Sequence, residues 1–289
     1  MPRALLLINR HARQGDDAYD LIAATLSAAD WTLVEDLRED ESLAEAISRH
    51  RDDVDVVVIG GGDGSLNAAL PALIEAGLPL GIIPLGTAND LARTLQLPTE
   101  PAAACQAIIT GQPTAIDVGE VNGVYFFNVA SLGLSVAITR ELSPELKKRW
   151  GVLAYLWTAL QVTARMRPFA AEIRTGNETH RVKTLQIAVG NGRHYGGGMT
   201  VAEDAAIDDQ QLDLYSLEVL HWWQVIWLVP HFVRGTLGTS RWVRTLRGKQ
   251  FEIVTRRERS INTDGEITTH TPATFKLHPL ALKVLLPPG

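Results

Sequence analysis

One cysteine stands in 289 residues, so Cys105 has no partner for an internal disulfide, which suits a reducing compartment. Long apolar runs are also missing. A bilayer-spanning helix needs about 20 apolar residues in a row. The closest stretch, Trp222 to Val233, is broken by Gln224, Pro230 and His231, and the chain reads as soluble or at most peripheral. The apolar start, Ala4 to Ile8, is too short for a signal peptide and is cut off by Asn9-Arg10. The eight histidines show no metal-binding spacing such as His-Glu-x-x-His, and their order supports no Ser/His/Asp triad. There is no low-complexity run and no internal repeat. With 46% hydrophobic residues the chain is expected to be globular, and its length to make two domains.

Charge is unevenly placed. Residues 1–118 carry 7 Lys+Arg and 18 Asp+Glu, a net −11, whereas residues 119–289 carry 20 and 15, a net +5. A basic half is what an anionic membrane surface attracts, although differing solvated faces give the same imbalance. Lys147-Lys148-Arg149-Trp150 and Arg241-Trp242-Val243-Arg244 pair cations with interfacial aromatics and are expected to make that contact.

The hydropathy pattern also divides near Asp117. Before it, strand-like runs (4–8, 31–34, 54–59, 80–83) alternate with helical ones (16–27, 66–76, from 89 to before Pro98, 101–110), and Ser42-x-x-Glu45 is a capping box opening a helix that ends near His50. Such alternation predicts a parallel sheet covered on both faces. After it, short strand-like segments with turn signals predict an antiparallel sandwich or barrel: 124–129, 171–175, 182–189, 212–218, 241–246, 251–255, 273–277 and 280–286. Helices are expected over 152–166 and 223–234. Cys105 falls in a helical apolar pattern, which makes it a core residue.

The stretch that organises the chain is Val58-Ile59-Gly60-Gly61-Gly62-Asp63-Gly64-Ser65-Leu66-Asn67. A buried strand precedes it and a helix follows. Glycine allows close backbone approach to a ligand, and a helix N-terminus offers unpaired N–H groups, so the turn is an anion site suited to phosphate. Asp63 would repel a bare phosphate, which points to a metal-bound nucleotide. The spacing fits neither Gly-x-Gly-x-x-Gly nor Gly-x-x-x-x-Gly-Lys-Ser/Thr. The plainer alternative is a tight turn with an exposed Asp.

A second stretch, Pro84-Leu85-Gly86-Thr87-Ala88-Asn89-Asp90-Leu91-Ala92-Arg93, follows the next strand. Together the two resemble the diacylglycerol kinase, sphingosine kinase and NAD kinase superfamily, in its lipid-kinase branch. Asn128-Val129-Ala130-Ser131-Leu132-Gly133 resembles the segment that opens the family's second domain, and Asp264-Gly265-Glu266 its C-terminal Asp-Gly-Glu. Alone, Asp264-Gly265 reads as a hairpin turn.

The resemblance implies an α/β N-terminal domain with a Rossmann-like parallel sheet of the NAD kinase and diacylglycerol kinase type. A mainly β-sandwich C-terminal domain follows, with the active site in the cleft between the two. The domains are expected at 1–118 and 119–289, the return of the extreme C-terminus to the first domain being left open. The implied activity is transfer of the γ-phosphate of Mg-ATP to a lipid hydroxyl, diacylglycerol-like or related. Asn9, Gly15, Gly61, Gly62, Asp63, Gly64, Ser65, Thr87 and Asn89 would bind nucleotide, with Arg10 and Arg13 as further phosphate contacts. Asn89 and Asp90 also suit a helix N-cap. One of Asp264 and Glu266 would be the general base, with Glu266 favoured; Asp63 would orient Mg²⁺ or the hydroxyl. Asp209 with the carbonyls of Ala206 and Gln211 would hold a structural Mg²⁺, in a loop where Gln210 replaces the family's usual Gly. Implied surroundings are cytoplasmic, with a lipid acceptor at the inner face of the membrane, peripheral association and no nucleic-acid partner. A homodimer is left open. The alternatives are a soluble-metabolite kinase of the NAD kinase type and a nucleotide-binding regulator without catalysis.

Overall fold

The computed structural model describes residues 1–9, 15–35, 38, 40–141, 161–192, 194–195, 199–200, 206–219, 224 and 240–288. Two units emerge: Met1–Val118 joined by the segment from Pro279 on, and Gly119–Tyr195 with Met199–His278.

The first unit runs β1 (Arg3–Ile8), α1 (Gly15–Ala28), β2 (Thr32–Val34), α2 (Leu43–His50), β3 (Val56–Gly61), α3 (Asp63–Ala76), β4 (Leu80–Pro84), α4 (Asp90–Thr94), α5 (Pro101–Ile109) and the start of β5 (Gln112–Val121). Its strands lie in the order β2-β1-β3-β4, all parallel. β3 and β4 are buried at every position, as sheets covered on both faces require. Leu6, Ile8, Val56, Val58 and Ile83 pack with Ile22 and Leu26 of α1 and Ala104, Cys105 and Ile108 of α5, while α2 and α3 pack on each other. The Ser42–Glu45 capping box forms as expected. α3 starts at Asp63, three residues before the expected Leu66, because the glycine loop itself turns into the helix. α4 is shorter than expected and ends at Thr94.

The second unit continues with β6 (Val124–Phe126), β7 (Val129–Gly133), α6 (Leu134–Glu141), β8 (Phe169–Thr175), β9 (Glu178–Thr184), β10 (Gln186–Gly190), β11 (His194–Tyr195), β12 (Met199–Thr200), β13 (Leu212–Leu217), β14 (Val243–Gly248), β15 (Gln250–Thr255), β16 (Ser260–Thr263), β17 (Glu266–His270) and β18 (Ala273–Leu286). One layer has the order β14-β13-β10-β7-β16-β17; the other joins the first part of β18 to β15, β8 and β9. All these pairings are antiparallel. Alternate residues of both layers form one core, including Phe126, Leu132, Ile173, Ile187, Leu214, Phe251, Ile253, Ile261 and Phe275. This is the expected α/β domain followed by a β sandwich.

Three expectations are corrected. The apolar run 182–189 is two strands, because the chain leaves one layer at Leu185, whose N–H donates to Leu217 O and whose carbonyl accepts from Leu134 N. Residues 273–286 are one strand, although Leu280 adopts a positive φ of 50°; buried Asp117 accepts the Leu280 N–H at 2.7 Å and holds that kink. Residues 124–129 divide between β6 and β7. Apart from Gln224, which is helical, the expected helix at 223–234 lies outside the described residues, as do residues 152–160 of the other, Arg10, Arg13 and Lys147 to Trp150.

Candidate active site

In the first unit the carboxyl ends of β1, β3 and β4 meet. Asn9 follows β1; its N–H donates to Gly60 O, and its side-chain amide donates to Ser65 Oγ at 3.3 Å. Gly61 lies against that same serine: a Cβ there would sit 2.7 Å from Ser65 Oγ. Gly62, the N-cap of α3, lies back to back with Gly86 after β4. A Cβ on Gly86 would come within 2.6 Å of Gly62 Cα and 2.7 Å of Asn89 Oδ1; a Cβ on Gly62 would come within 3.1 Å of Gly86 Cα. These glycines therefore exist to let two loops touch.

Helix α3 begins at that contact. The N–H groups of Asp63 and Gly64 lie in its first turn, where the helix supplies no carbonyl to accept them. Asp63 Oδ1 accepts the Leu91 N–H at 3.2 Å, which ties the first loop to the start of α4. Its other oxygen makes no hydrogen bond among the described residues. Thr87 is exposed at the tip of the second loop.

Asn89 departs from expectation. It occupies the N-cap position of α4 with φ 50°, but its side chain does not cap the helix. Its Oδ1 accepts from Gly86 N and its Nδ2 donates to Gly86 O, both at 3.0 Å, so it clamps the loop. Gly15 is the first residue of α1.

In the second unit Asp264-Gly265 is the two-residue turn between β16 and β17, with Thr263 opposite Glu266. Asp264 has φ 45° and Gly265 φ 105°, the left-handed values that such a turn needs. Asp264 Oδ2 accepts from Phe127 N at 2.7 Å, and Oδ1 accepts from Asn128 N at 3.0 Å and Val129 N at 2.9 Å. Its own N–H donates to Val129 O. The carboxylate is thus a cap on the segment entering β7. Asn262, 5% exposed, accepts the Gly265 N–H at 3.0 Å and braces the turn. Glu266 is exposed, and its side chain makes no hydrogen bond among the described residues.

The Asp209 loop is closed on itself. Asp209 accepts from Gln211 N at 2.9 Å and Ala206 N at 3.4 Å. Gln210 takes φ 58°, the conformation that glycine would adopt freely. The loop therefore keeps its turn at a cost of about 1–2 kcal/mol for a non-glycine residue.

Sequence reasoning did not single out Gly86, Leu91 or Asn262. Gly86 stood in the quoted motif, and its contact partner lies 24 residues earlier in sequence. Leu91 acts through its backbone, which leaves no trace in residue type.

The diacylglycerol kinase catalytic domain model matches residues 3–121, and the model of the YegS C-terminal NAD kinase beta sandwich-like domain matches residues 128–286. A protein of Pseudomonas syringae pv. syringae (strain B728a), named "probable lipid kinase YegS-like", is 33% identical over 296 residues, which span 99% of this chain and 93% of that protein. The chain belongs to this YegS-like diacylglycerol kinase family. A Klebsiella pneumoniae (strain 342) member of the same name is 34% identical over 240 residues, 81% of this chain and 79% of that protein. A crystal structure from Bacillus anthracis str. Sterne, described as a candidate diacylglycerol kinase, has a TM-score of 0.84 at 26% identity and covers 99% of this chain and 98% of its own. No helix among the described residues is long and apolar enough to cross a membrane.

Proposed function

We propose that this member of the family is an ATP-dependent lipid kinase that phosphorylates a hydroxyl of a diacylglycerol-like or related acceptor. The observation that carries the reading is the back-to-back contact of Gly62 and Gly86 at the N-terminus of α3. Two backbones packed without side chains leave a surface of amide groups, and the helix adds its partial positive charge.

The N–H groups of Asp63 and Gly64 would receive phosphate oxygens. Asn9 positions the Ser65 hydroxyl beside them, and the exposed Thr87 hydroxyl would contact nucleotide. Gly62 and Gly86 let the two loops touch, Gly61 leaves room for Ser65, and Asn89 clamps the second loop. The oxygen of Asp63 that is not bonded to Leu91 is the group this chain offers to Mg²⁺, which when bound would neutralise charge on the phosphates. Asp209 with the carbonyls of Ala206 and Gln211 would be a second, structural place for a divalent ion, which would have to displace the Ala206 and Gln211 N–H groups that the carboxylate now accepts.

Glu266 is the general base in this reading. It is exposed and unengaged, whereas Asp264 is occupied by three N–H donors. The acceptor hydroxyl would lose its proton to Glu266 as it attacks phosphorus. A lipid acceptor would bring the protein to a membrane surface as a peripheral protein, in this reading at its cytoplasmic face.

The test incubates the protein with γ-labelled ATP, Mg²⁺ and a lipid extract. Label is expected in a lipid that the Glu266→Gln variant fails to phosphorylate. Label that goes instead to a water-soluble acceptor would replace the lipid with a metabolite. An absence of transfer to any acceptor, with ATP still bound, would leave a nucleotide-binding regulator.

A further inference from the structure

Most described arginines of the second unit's sheets pair with carboxylates: Arg174 with Glu172 and Glu252, Arg181 with Glu172, Arg244 with Glu218 and Arg247 with Asp213. The loop from β15 to β16 differs. It reads Arg256-Arg257-Glu258-Arg259, and Arg167 just before β8 and Arg140 near the end of α6 border it. Among the described residues none of these five arginines has an ion-pair partner. Arg259 lies 3.8 Å over the ring of Phe169, and Arg140 donates to Ser260 Oγ at 2.8 Å, which brings the start of β8 and the end of α6 to the loop. Burial, and then the neighbouring Arg257 charge, make the Arg259 guanidinium hold its proton less tightly than usual.

The loop is held in place despite this repulsion. Thr255 Oγ1 donates to Arg257 O at 2.8 Å, and its oxygen lies 2.5 Å from the hydroxyl of buried Thr271. Thr271 Oγ1 accepts from Arg259 N at 3.0 Å, and Thr271 N donates to Arg259 O at 2.9 Å. A loop whose backbone is fixed in advance has less conformational entropy to lose on binding an anion.

We propose that this arginine loop is the face with which the protein docks on an anionic membrane surface. Arg167, Arg256 and Arg257 are exposed on neighbouring elements, which suits a field of many lipid phosphates rather than one enclosed phosphate. The expected Arg241–Arg244 segment is less available: Arg244 is paired with Glu218, and Trp242 is partly buried against Val219 and Val243. The choice of a membrane rests on the lipid-kinase reading, but its test reads binding and needs no turnover.

The test is co-sedimentation of the full chain with vesicles of phosphatidylcholine alone, or of equal parts phosphatidylcholine and phosphatidylglycerol. The protein should bind the anionic vesicles only, and less so at higher salt. Arg256→Gln with Arg257→Gln should weaken that binding about thirty-fold, with circular dichroism unchanged. Arg256→Lys with Arg257→Lys should keep most of it. Binding of the Gln variant equal to the native chain would overturn the proposal. Displacement from vesicles by millimolar inorganic phosphate would assign the loop to a free anion instead. RNA that binds more tightly than the vesicles, and is lost in the Gln variant, would assign it to nucleic acid. A native chain that phosphorylates no lipid, yet binds anionic vesicles in a way the Gln variant loses, would count against the proposed function and support this loop's role.

Discussion

Asp63-Gly64 and Asp264-Gly265 are the same dipeptide in two settings. Asp63 stands in the first turn of α3, gives one oxygen to the Leu91 N–H and keeps the other. Asp264 stands in a hairpin turn with φ 45° and gives both oxygens to the N–H groups of Phe127, Asn128 and Val129. The first carboxylate is tied yet available; the second is consumed in holding the chain. In the second unit the available carboxylate is Glu266, two residues on. A motif match therefore locates a carboxylate, and its hydrogen bonds decide whether it has capacity left for chemistry.

The comparison is broken most directly at Glu266. Glu266→Gln should lower kcat by about 10²–10⁴-fold without changing stability, because a positioned base contributes that much and no described residue depends on this side chain. The acidic limb of the pH–rate profile should flatten. Asp63→Asn should lower kcat by a similar order and move the Mg²⁺ titration to higher concentration, since the amide oxygen can still accept the Leu91 N–H. A normal Mg²⁺ titration would separate Asp63 from the ion.

Asp264→Ala should act on stability first. It strips the acceptor from three N–H groups, and unfolding by denaturant should show a loss of about 2–4 kcal/mol. Unchanged stability with lost turnover would reverse the contrast and make Asp264 the base.

The loops offer a finer contrast. Gly86→Ala should raise the KM for ATP more than Gly62→Ala, since its Cβ meets backbone and Asn89 at 2.6–2.7 Å, against 3.1 Å for Gly62. The expected gap is about ten-fold, within the 1–3 kcal/mol that forced repacking costs. Equal effects would mean that the loops move together.

Much of this was legible in the sequence. β3 and β4 are buried on both faces, so their apolar runs are unbroken and the parallel sheet reads plainly. The glycines of residues 60–64 marked a place of close backbone approach, which the contact of Gly62 with Gly86 bears out. β5 did not read as a strand: it opens on Gln112-Pro113-Thr114 and contains buried Asp117, whose burial makes sense only once it accepts the Leu280 N–H. The duty of Asp264 was hidden for the same reason, since its partners lie 135 to 137 residues earlier.

The smallest expected effect concerns Cys105, which was read correctly as a core residue. Burial, with the Glu100 charge adding to it, pushes its thiol up from 9.0 to about 11. The folded state holds that proton more tightly than the unfolded one. The associated stability is full below 9.0 and is lost as pH rises through about 11. At neutral pH the thiol should resist a disulfide reagent until denaturant is added; prompt reaction in the native protein would contradict its burial.

The kinked strand β18 has a consequence for biosynthesis. Val284 pairs with Leu80, and Leu285 enters the core made by β1, β3 and α1. On the ribosome, β4 is complete long before the second half of β18 has been translated, and its open edge waits until the intervening sandwich strands have been made. A nascent edge of this kind invites pairing with other chains. The first unit therefore cannot finish folding co-translationally in N-to-C order, and its final closure must follow synthesis of the sandwich.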